Sequence, residues 1–288
     1  MDIFIQLCLN SLIAGSIYMM IAIGFNLIFG TVKFFDLGAG AMSAIGGYVV
    51  FFLTRSFGFN LYVSIVLAIL FTGLVGYLIN KFVYSKLRKN GASNMSYLVA
   101  SLGVSTVIQA VIAIIFSSQF YTLSNLVPSE VLDVFGGSLT YVQLGIFIIG
   151  ILVMIILGLV LKFTMFGKAV KAISDDEEVS KIVGINTSQI IGRVFFIGSA
   201  ICGLAGILVG LDTGIEPMMG FSLLLKGVIA AIIGGVGNIY GGVLGAFLLG
   251  FVENFSIWQI SGEWKDAIAF VILIIFLLFR PRGILGKK

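Results

Sequence analysis

Ionisable side chains are rare within the apolar parts of this chain, and the few that occur there are the first candidates for chemistry. Asp36 begins one apolar segment, Asp212 and Lys226 lie near segment ends, and Glu253 lies well inside a segment. Because charge is costly in apolar surroundings, such residues are typical of ion or substrate pathways and proton relays. Glu253 could face a cavity, pair with a polar neighbour such as Asn254, or reach water near the segment end.

Several kinds of catalytic and metal site are excluded by residue type. The 288 residues include no histidine, which excludes histidine-based metal sites, catalytic triads and histidine proton relays. No Gly-x-x-x-x-Gly-Lys-Ser/Thr run is present, so the chain cannot hydrolyse ATP through a P-loop. Cys8 and Cys202 fall inside apolar segments and are interpreted as packing residues. We therefore expect no enzyme, no metal and no cofactor, and any driving energy must come from a partner protein or a gradient.

One long hydrophilic segment, residues 162–193, interrupts the apolar sequence. Ser174 is followed three positions later by Glu177, which is the capping-box pattern, and Asp175 belongs to an acidic run that the helix dipole favours in a first turn. Gly184 is typical of a helix C-terminus. The sequence thus predicts a short helix over residues 174–184, about two and a half turns long.

This predicted helix has an apolar side formed by Val179, Ile182 and Val183, while Glu178 and Lys181 are spaced for an ion pair. An isolated helix of this length is marginal in water, so its apolar side needs a surface to pack on. That surface is either the ends of the chain's own spans or a groove on a cytosolic subunit. The residues alone leave both alternatives open.

The rest of the chain has the composition of a membrane protein. Hydrophobic residues make up 59% and charged residues 10%, whereas soluble domains have about 25% charged residues. With about 20 apolar residues per crossing, the sequence predicts an all-α polytopic membrane protein with about 8–9 transmembrane helices in one domain, residues 1–288. The predicted spans are residues 4–29, 37–54, 61–82, 95–116, 141–161, 190–211, 222–236, 240–258 and 266–279.

The two short spans, 37–54 and 222–236, are rich in glycine, alanine and serine. Such helices pack closely, and they could be broken or re-entrant where protein or a cavity surrounds them. Gly40-Ala-Met-Ser-Ala-Ile-Gly-Gly47 is similar to Gly227-Val-Ile-Ala-Ala-Ile-Ile-Gly-Gly235, which either an inverted repeat or chance similarity would explain. The residues expected beside a pathway are Asp36, Gly38, Gly40, Gly234, Gly235, Gly237, Asn238 and Glu253.

Lysine and arginine set the expected orientation. If nine segments cross and the C-terminus is cytosolic, fourteen basic residues lie on the cytosolic side, and only Arg55, Lys226 and Lys265 lie outside. The segment 162–193 is then cytosolic, and residues 117–140 form the longest external loop, which either meets a partner or is a solvated connector. Basic loops beside a bilayer explain the net charge of +4, so we expect no nucleic-acid partner.

Six stretches resemble the permease subunits of bacterial branched-chain amino acid ABC transporters, and the resemblance covers nearly the whole chain. The stretches are residues 15–30, 167–186, 198–206, 217–220, 233–245 and 279–283. The second stretch is similar to the ATPase-coupling segment of that family. The resemblance therefore implies an importer subunit that translocates branched-chain or other small hydrophobic amino acids.

The same resemblance implies partners and a location. Two cytosolic ATP-binding subunits would drive transport, a second permease would complete the pathway as a hetero- or homodimer, and an extracytoplasmic binding protein would deliver the substrate. The chain would lie among the lipids of the bacterial cytoplasmic membrane, with its C-terminus in the cytosol. By analogy, the residues that couple to the ATPase are Ser174, Asp175, Glu177, Val179, Ile182, Val183 and Gly184.

One departure from the family pattern concerns the substrate. The family often has Asn-Phe-Ala-His-Gly at the start of the second span, whereas this chain has Asp36-Leu-Gly-Ala-Gly40, with a carboxylate in place of an amide and no histidine. If these positions line the pathway, the substrate could differ. The alternatives are a permease of the same family for urea, short amides or another small polar solute, a gradient-driven carrier or channel acting alone, and a structural scaffold.

Overall fold

The computed structural model describes residues 2–123, 130–134, 136–258 and 261–286. Residues 124–129 and 135 of the predicted external loop lie outside these described ranges, as do lysines 287 and 288 of the basic tail. Most of the described residues are helical, and the predicted all-α polytopic fold class is confirmed. The physical reason is that only helices satisfy their own backbone hydrogen bonds in an apolar medium without closing a barrel.

The helices follow one another along the chain with short connections. They are α1 (Asp2–Val32), α2 (Gly38–Ser56), α3 (Leu61–Ile79), a π-helix (Asn80–Tyr84), α4 (Ser85–Lys89), α5 (Asn94–Phe116), α6 (Tyr141–Phe163), α7 (Met165–Asp175), α8 (Glu177–Ile182), α9 (Thr187–Asp212), α10 (Met219–Gly234), α11 (Ile239–Ser256), a 3₁₀-helix (Gly262–Trp264) and α12 (Lys265–Phe279). Between α5 and α6, β1 (Val131–Val134) pairs antiparallel with β2 (Gly137–Thr140), and Val131 is opposite Thr140. The sequence analysis did not predict this hairpin.

Nine of the helices coincide with the nine predicted spans. On length and composition, six stretches of the described chain could cross a membrane: α1, α3 to α4, α5, α6, α9 and α11. The glycine-rich helices α2 and α10 are each continuous, with 19 and 16 residues. The irregular backbone expected inside these two helices therefore lies in the connections that flank them, residues 33–37 and 235–238.

The bundle has two distinct ends. At the hairpin end, the β2 residue Ser138 donates its backbone N–H to the Gln6 side chain of α1 at 2.8 Å. At the same end, backbone hydrogen bonds between Tyr121 and Ile215 join the α5–β1 connection to the α9–α10 connection. The basic end contains the C-terminus of α1, α7, α8, the α10–α11 connection and the tail 280–286, and Lys33 donates to Ser174 there at 3.4 Å. The charged segment is thus held at one end of the bundle.

Helices α1 and α9 form the centre of the bundle. In their most apolar windows 83% and 72% of the residues are buried, whereas in α5 and α6 only 17% are. Helix α9 packs against α1, α2 and α3. This contrast identifies α5 and α6 as peripheral helices whose apolar side chains are mostly exposed on the outside of the bundle.

Close backbone approach explains how α2 reaches α9. A Cβ atom added to Gly46 would collide with the backbone of Gly203, and one added to Gly206 would collide with the backbone of Ser43. Farther along α2, Gly40 contacts the backbone of Gly220 in α10 in the same way. Small residues allow such approach, and van der Waals packing rather than the hydrophobic effect drives helix association in lipid.

We predict that Gly46→Ala destabilises the fold by about 1–3 kcal/mol, because the added methyl group forces α2 away from α9. The measurement is the thermal unfolding midpoint of the purified chain in detergent. Gly103→Ala is the matched control, since nothing lies within 4 Å of the Cβ position at Gly103 on peripheral helix α5. An equal loss in both variants would contradict the proposed close contact.

Candidate functional site

The hydrophilic segment begins with an amphipathic helix attached to the basic end. Thr164 separates α6 from α7, and its hydroxyl accepts the Gly167 N–H at 3.1 Å as an N-cap. Helix α7 buries Val170 and Ile173 and exposes Lys168 and Lys171. The helix therefore lies along the bundle with one apolar face against it.

The next helix, α8, is shorter than predicted and begins later. Ser174 lies within α7, so the predicted start at Ser174 and its capping box with Glu177 are wrong. The N-cap is Asp176, whose Oδ1 atom accepts the N–H groups of Glu178 at 2.8 Å and Val179 at 3.0 Å. An N-cap residue needs a non-helical backbone, and Asp176 is extended whereas α7 continues through Ser174. Six residues, Glu177–Ile182, form α8.

The ion pair and the end of α8 follow from its register. Lys181 pairs with Glu177, four residues earlier, at 2.9 Å and not with the predicted Glu178, three residues earlier, although both spacings place side chains on one helix face. Gly184 ends the turn with a positive φ of 87°, as the sequence predicted. The Glu177 carboxylate also accepts the Thr187 hydroxyl at 3.4 Å, and the Ile185 N–H donates to the Ser180 carbonyl at 3.0 Å. These bonds attach α8 to the start of α9.

The apolar side of α8 is exposed in this chain. Val179, Ile182 and Val183 are 54%, 83% and 68% exposed, whereas Ser180 on the opposite side is buried. The chain's own helices therefore leave these three side chains uncovered, although α8 is too short to be stable without tertiary contacts. Of the two surfaces considered from sequence, the ends of the chain's own spans do not cover this face.

Asp36 and Gly38 lie together in an enclosed polar site. The Asp36 Oδ1 atom accepts the Gly38 N–H at 2.9 Å and the Tyr84 hydroxyl at 2.7 Å. Tyr84 belongs to the π-helix, and Phe34 and Phe195 pack against its ring. Burial raises the pKa of the Asp36 carboxyl to about 6, against the two hydrogen bonds that lower it. The cavity beside this carboxylate is about 10 Å³, roughly the space of one water molecule.

Gly237 and Asn238 lie at the basic end, where Asn26 of α1 holds their connection. The Asn26 side chain accepts the Gly237 N–H at 2.9 Å and donates to the Asn238 carbonyl at 3.1 Å. Asn238 caps α11 through the Gly241 N–H at 3.1 Å and donates to the Leu285 carbonyl of the tail at 2.8 Å. Asn26, Gly237 and Asn238 all line a cavity of about 640 Å³. The sequence analysis did not identify Asn26. The signal available for it was a polar amide within an apolar span.

Glu253 lies in a charged cluster nearer the hairpin end. Its Oε2 atom accepts the Tyr18 hydroxyl at 2.6 Å and lies 3.6 Å from the Lys226 ammonium. Lys226 also lies 3.1 Å from Asp266, whose side chain is 69% exposed, while the Glu253 side chain is 1% exposed. The suggested partner Asn254 instead donates to the Gly250 carbonyl at 2.9 Å. Glu253 is thus a buried ion-pair residue, and Tyr18 was missed because nothing in a single span marks a contact 235 residues away.

The remaining predicted pathway residues are packing contacts. Gly40 faces Gly220, as described above, and Gly234 touches the backbone of Gly241. Gly235 contacts the backbone of the tail at Gly283 and Gly286. The structure therefore places the eight predicted residues at several separate positions and does not bring them into one site.

No group of three or more metal-ligating residues occurs within the part of the chain that the structure describes. The interactions observed at the three polar sites are hydrogen bonds and ion pairs. These interactions bind and position, and they join helices that are distant in sequence.

Comparison with known proteins identifies similar chains along nearly the full length. The family described as branched-chain amino acid transport system, permease component, matches residues 7–277. The high-affinity branched-chain amino acid transport system permease protein BraD of Pseudomonas aeruginosa is 33% identical to this chain. The similarity covers 99% of this chain and 96% of BraD. LivH of Escherichia coli K12, with the same description, is 31% identical with the same coverage. The fructose import permease protein FrcC of Rhizobium meliloti is 23% identical over 83% of this chain and 68% of its own length.

The cap of α8 can be tested separately from its surface. Asp176→Ala should destabilise α8 by about 1 kcal/mol and speed amide exchange of Glu178 and Val179 about fivefold, because both N–H groups lose their acceptor. Hydrogen–deuterium exchange in detergent measures this change. Ser174→Ala serves as the control and should leave α8 unchanged. If Ser174→Ala speeds exchange in α8 and Asp176→Ala does not, the capping box predicted from the sequence is correct and the Asp176 cap is not.

The charged cluster makes a second prediction. Lys226→Met should destabilise the fold by about 3–5 kcal/mol, because the carboxylate of Glu253 then stays buried without a counter-ion. Adding Glu253→Gln should recover much of this loss, while Asp266→Asn at the exposed edge should cost less than about 1 kcal/mol. Thermal unfolding in detergent compares the three variants. A loss for Asp266→Asn as large as for Lys226→Met would show that the buried pair is not the main interaction.

Proposed function

Because this chain belongs to the family of branched-chain amino acid transport permease components, we propose that the exposed face of α8 couples it to cytosolic ATPase subunits. The chain is a permease of an ABC importer, a transport protein rather than a member of an enzyme family. The observation that carries the proposal is the uncovered apolar set Val179, Ile182 and Val183 on a short, capped helix. A groove on an ATPase would supply the surface that the permease itself lacks.

The basic end is then the cytosolic end. Basic side chains concentrate near α7, α8, the α3–α5 connection and the tail, which agrees with the bias of cytosolic loops toward lysine and arginine. This orientation puts the C-terminus in the cytosol and the β1–β2 hairpin outside the bacterial cytoplasmic membrane. An external binding protein would deliver the substrate at the hairpin end, where Gln6 holds the hairpin against α1.

Movement of α8 would reach the centre of the bundle through α9. Only residues 183–186 separate the two helices, and the bonds from Glu177 to Thr187 and from Ile185 to Ser180 make this connection short and ordered. Helix α9 contacts α1, α2 and α3 at once. Closure of two ATPases on ATP would therefore displace α8 and α9 together, and hydrolysis would reset them.

The pathway would form with a second permease, as a hetero- or homodimer. We propose branched-chain or other small hydrophobic amino acids as substrates, in line with BraD and LivH. The carboxylate at Asp36 gives no support to urea or another polar solute, because it is buried and engaged by Tyr84 and Gly38. The fructose import permease FrcC is 23% identical to this chain, against 33% for BraD and 31% for LivH of Escherichia coli K12.

Replacement of Val179 and Ile182 by Asp should abolish co-purification of the ATPase subunits, since two charges cannot enter an apolar groove without a large desolvation cost. The measurement is the ratio of ATPase to permease after affinity purification of the assembled complex. Met218→Asp is the matched control, because Met218 is an exposed apolar residue at the opposite, hairpin end.

Two outcomes would count against the proposal. ATPase recruitment by the double variant at the level of the unmodified chain would remove α8 from the interface. Substrate flux through the purified permease in liposomes without any ATPase would instead indicate a gradient-driven carrier. A monodisperse elution profile of the double variant shows that the spans remain folded.

A further inference from the structure

The cavity at the basic end is a separate feature from the coupling face of α8. Its volume is about 640 Å³, and its walls come from the second half of α1, the end of α6, α7, the α10–α11 connection and the tail. Helix α7 contributes one wall, and α8 begins two residues after α7 ends. A molecule bound in this cavity would therefore contact the element that leads directly into α8.

The polar part of the cavity carries an excess of positive charge. Three cationic side chains, Lys33, Lys171 and Arg282, line it, against one carboxylate, Asp175. Within the described ranges neither Lys171 nor Arg282 forms an ion pair. These two cations lie on different elements, α7 and the tail, so an anion between them would join the two.

Besides these charges and the polar residues Asn26, Thr31, Ser174 and Asn238, the cavity has apolar walls. Leu27 of α1, Leu161 of α6, Val170 of α7 and Ile232 of α10 all contribute to them. A small hydrated anion gains nothing from such walls, whereas a molecule with a charged head and a hydrocarbon chain satisfies both parts.

The apolar part of the cavity lies next to the exposed apolar surface of α6. Tyr240 lines the cavity and is 59% exposed. Its hydroxyl lies close to α6, 3.5 Å from the position that a Cβ atom added to Gly158 would occupy. Along the same peripheral helix, Ile155 and Leu159 are exposed. The cavity is therefore bordered by a helix whose outer surface exposes apolar side chains, which acyl chains could cover.

We propose that this cavity binds one anionic phospholipid of the cytosolic leaflet. Its phosphate would lie between Lys171 and Arg282, and an acyl chain would follow Leu161 and Tyr240 along α6. The lipid would hold α7 against the tail and so steady the start of α8. The assignment of the leaflet rests on the orientation in the proposed function, but binding to the cavity does not.

The test uses the full chain, purified in detergent with equal amounts of phosphatidylglycerol and phosphatidylcholine, and native mass spectrometry to count retained lipids. The unmodified chain should retain phosphatidylglycerol in preference to phosphatidylcholine. The variant Lys171→Gln with Arg282→Gln should lose about tenfold in that retention. Lys168→Gln with Arg280→Gln removes the same charge from the same two elements but from residues outside the cavity lining, and it should retain the lipid.

Equal loss in both double variants would overturn the proposal, since general surface charge would then explain retention. A second measurement needs no variant: dioctanoyl phosphatidylglycerol should raise the thermal midpoint of the unmodified chain more than dioctanoyl phosphatidylcholine or inorganic phosphate. An equal shift with inorganic phosphate would indicate a site for soluble anions and would also overturn the proposal. Because both measurements use the permease without ATPases, a failure of ATPase recruitment at α8 leaves their result unaffected.

Discussion

The contact on which this structure depends is the backbone approach of α2 to α9, where Gly46 meets Gly203 and Gly206 meets Ser43. In lipid, apolar side chains gain little by leaving the solvent, so helices associate through contact area between closely spaced backbones. Larger side chains at these positions would separate the two helices. With this contact in place, α9 occupies the centre and α1 packs against it, while α5 and α6 remain at the periphery.

Helix α1 links the polar sites at different depths of the bundle. Near its middle, Tyr18 reaches the buried Glu253 of α11, and two turns later Asn26 holds the α10–α11 connection. Both interactions satisfy polar groups that would be costly if they were left alone in an apolar bundle. The same two residues also tie α11 to α1 along its length. The polar residues inside this permease therefore serve assembly as well as any role in transport.

The segment that we propose couples to the ATPases leaves apolar side chains uncovered instead of burying them all. Helix α7 buries its apolar face, but α8 presents Val179, Ile182 and Val183 outward while Ser180 is buried. Residues 183–186 and two hydrogen bonds attach this exposed surface closely to α9 and so to the core. In the proposed coupling this combination would transmit force, because a flexible connection would absorb the displacement instead.

Several properties were predictable from the sequence because they depend on local composition and length. Apolar runs and the rarity of charge predicted nine segments that are helical in the structure, six of which lie in stretches long and apolar enough to cross a membrane. Gly184 was predicted to end α8, and it has the positive φ typical of that position. The position of the hydrophilic segment and its apolar face followed in the same way. The resemblance in six stretches led to the family, which full-length similarity to BraD and LivH then showed.

Only the tertiary structure decided the start of α8 and the partners of the polar residues. Asp176 rather than Ser174 is the cap because α7 continues through Ser174, and that depends on packing of Val170 and Ile173 against the bundle. Tyr18 of α1 and Lys226 of α10 contact Glu253 of α11. The spacing of residues within a single span does not predict such contacts. Local propensity acts over a few residues, so the sequence by itself determined which segments are helical, while contacts over hundreds of residues decided what each polar side chain does.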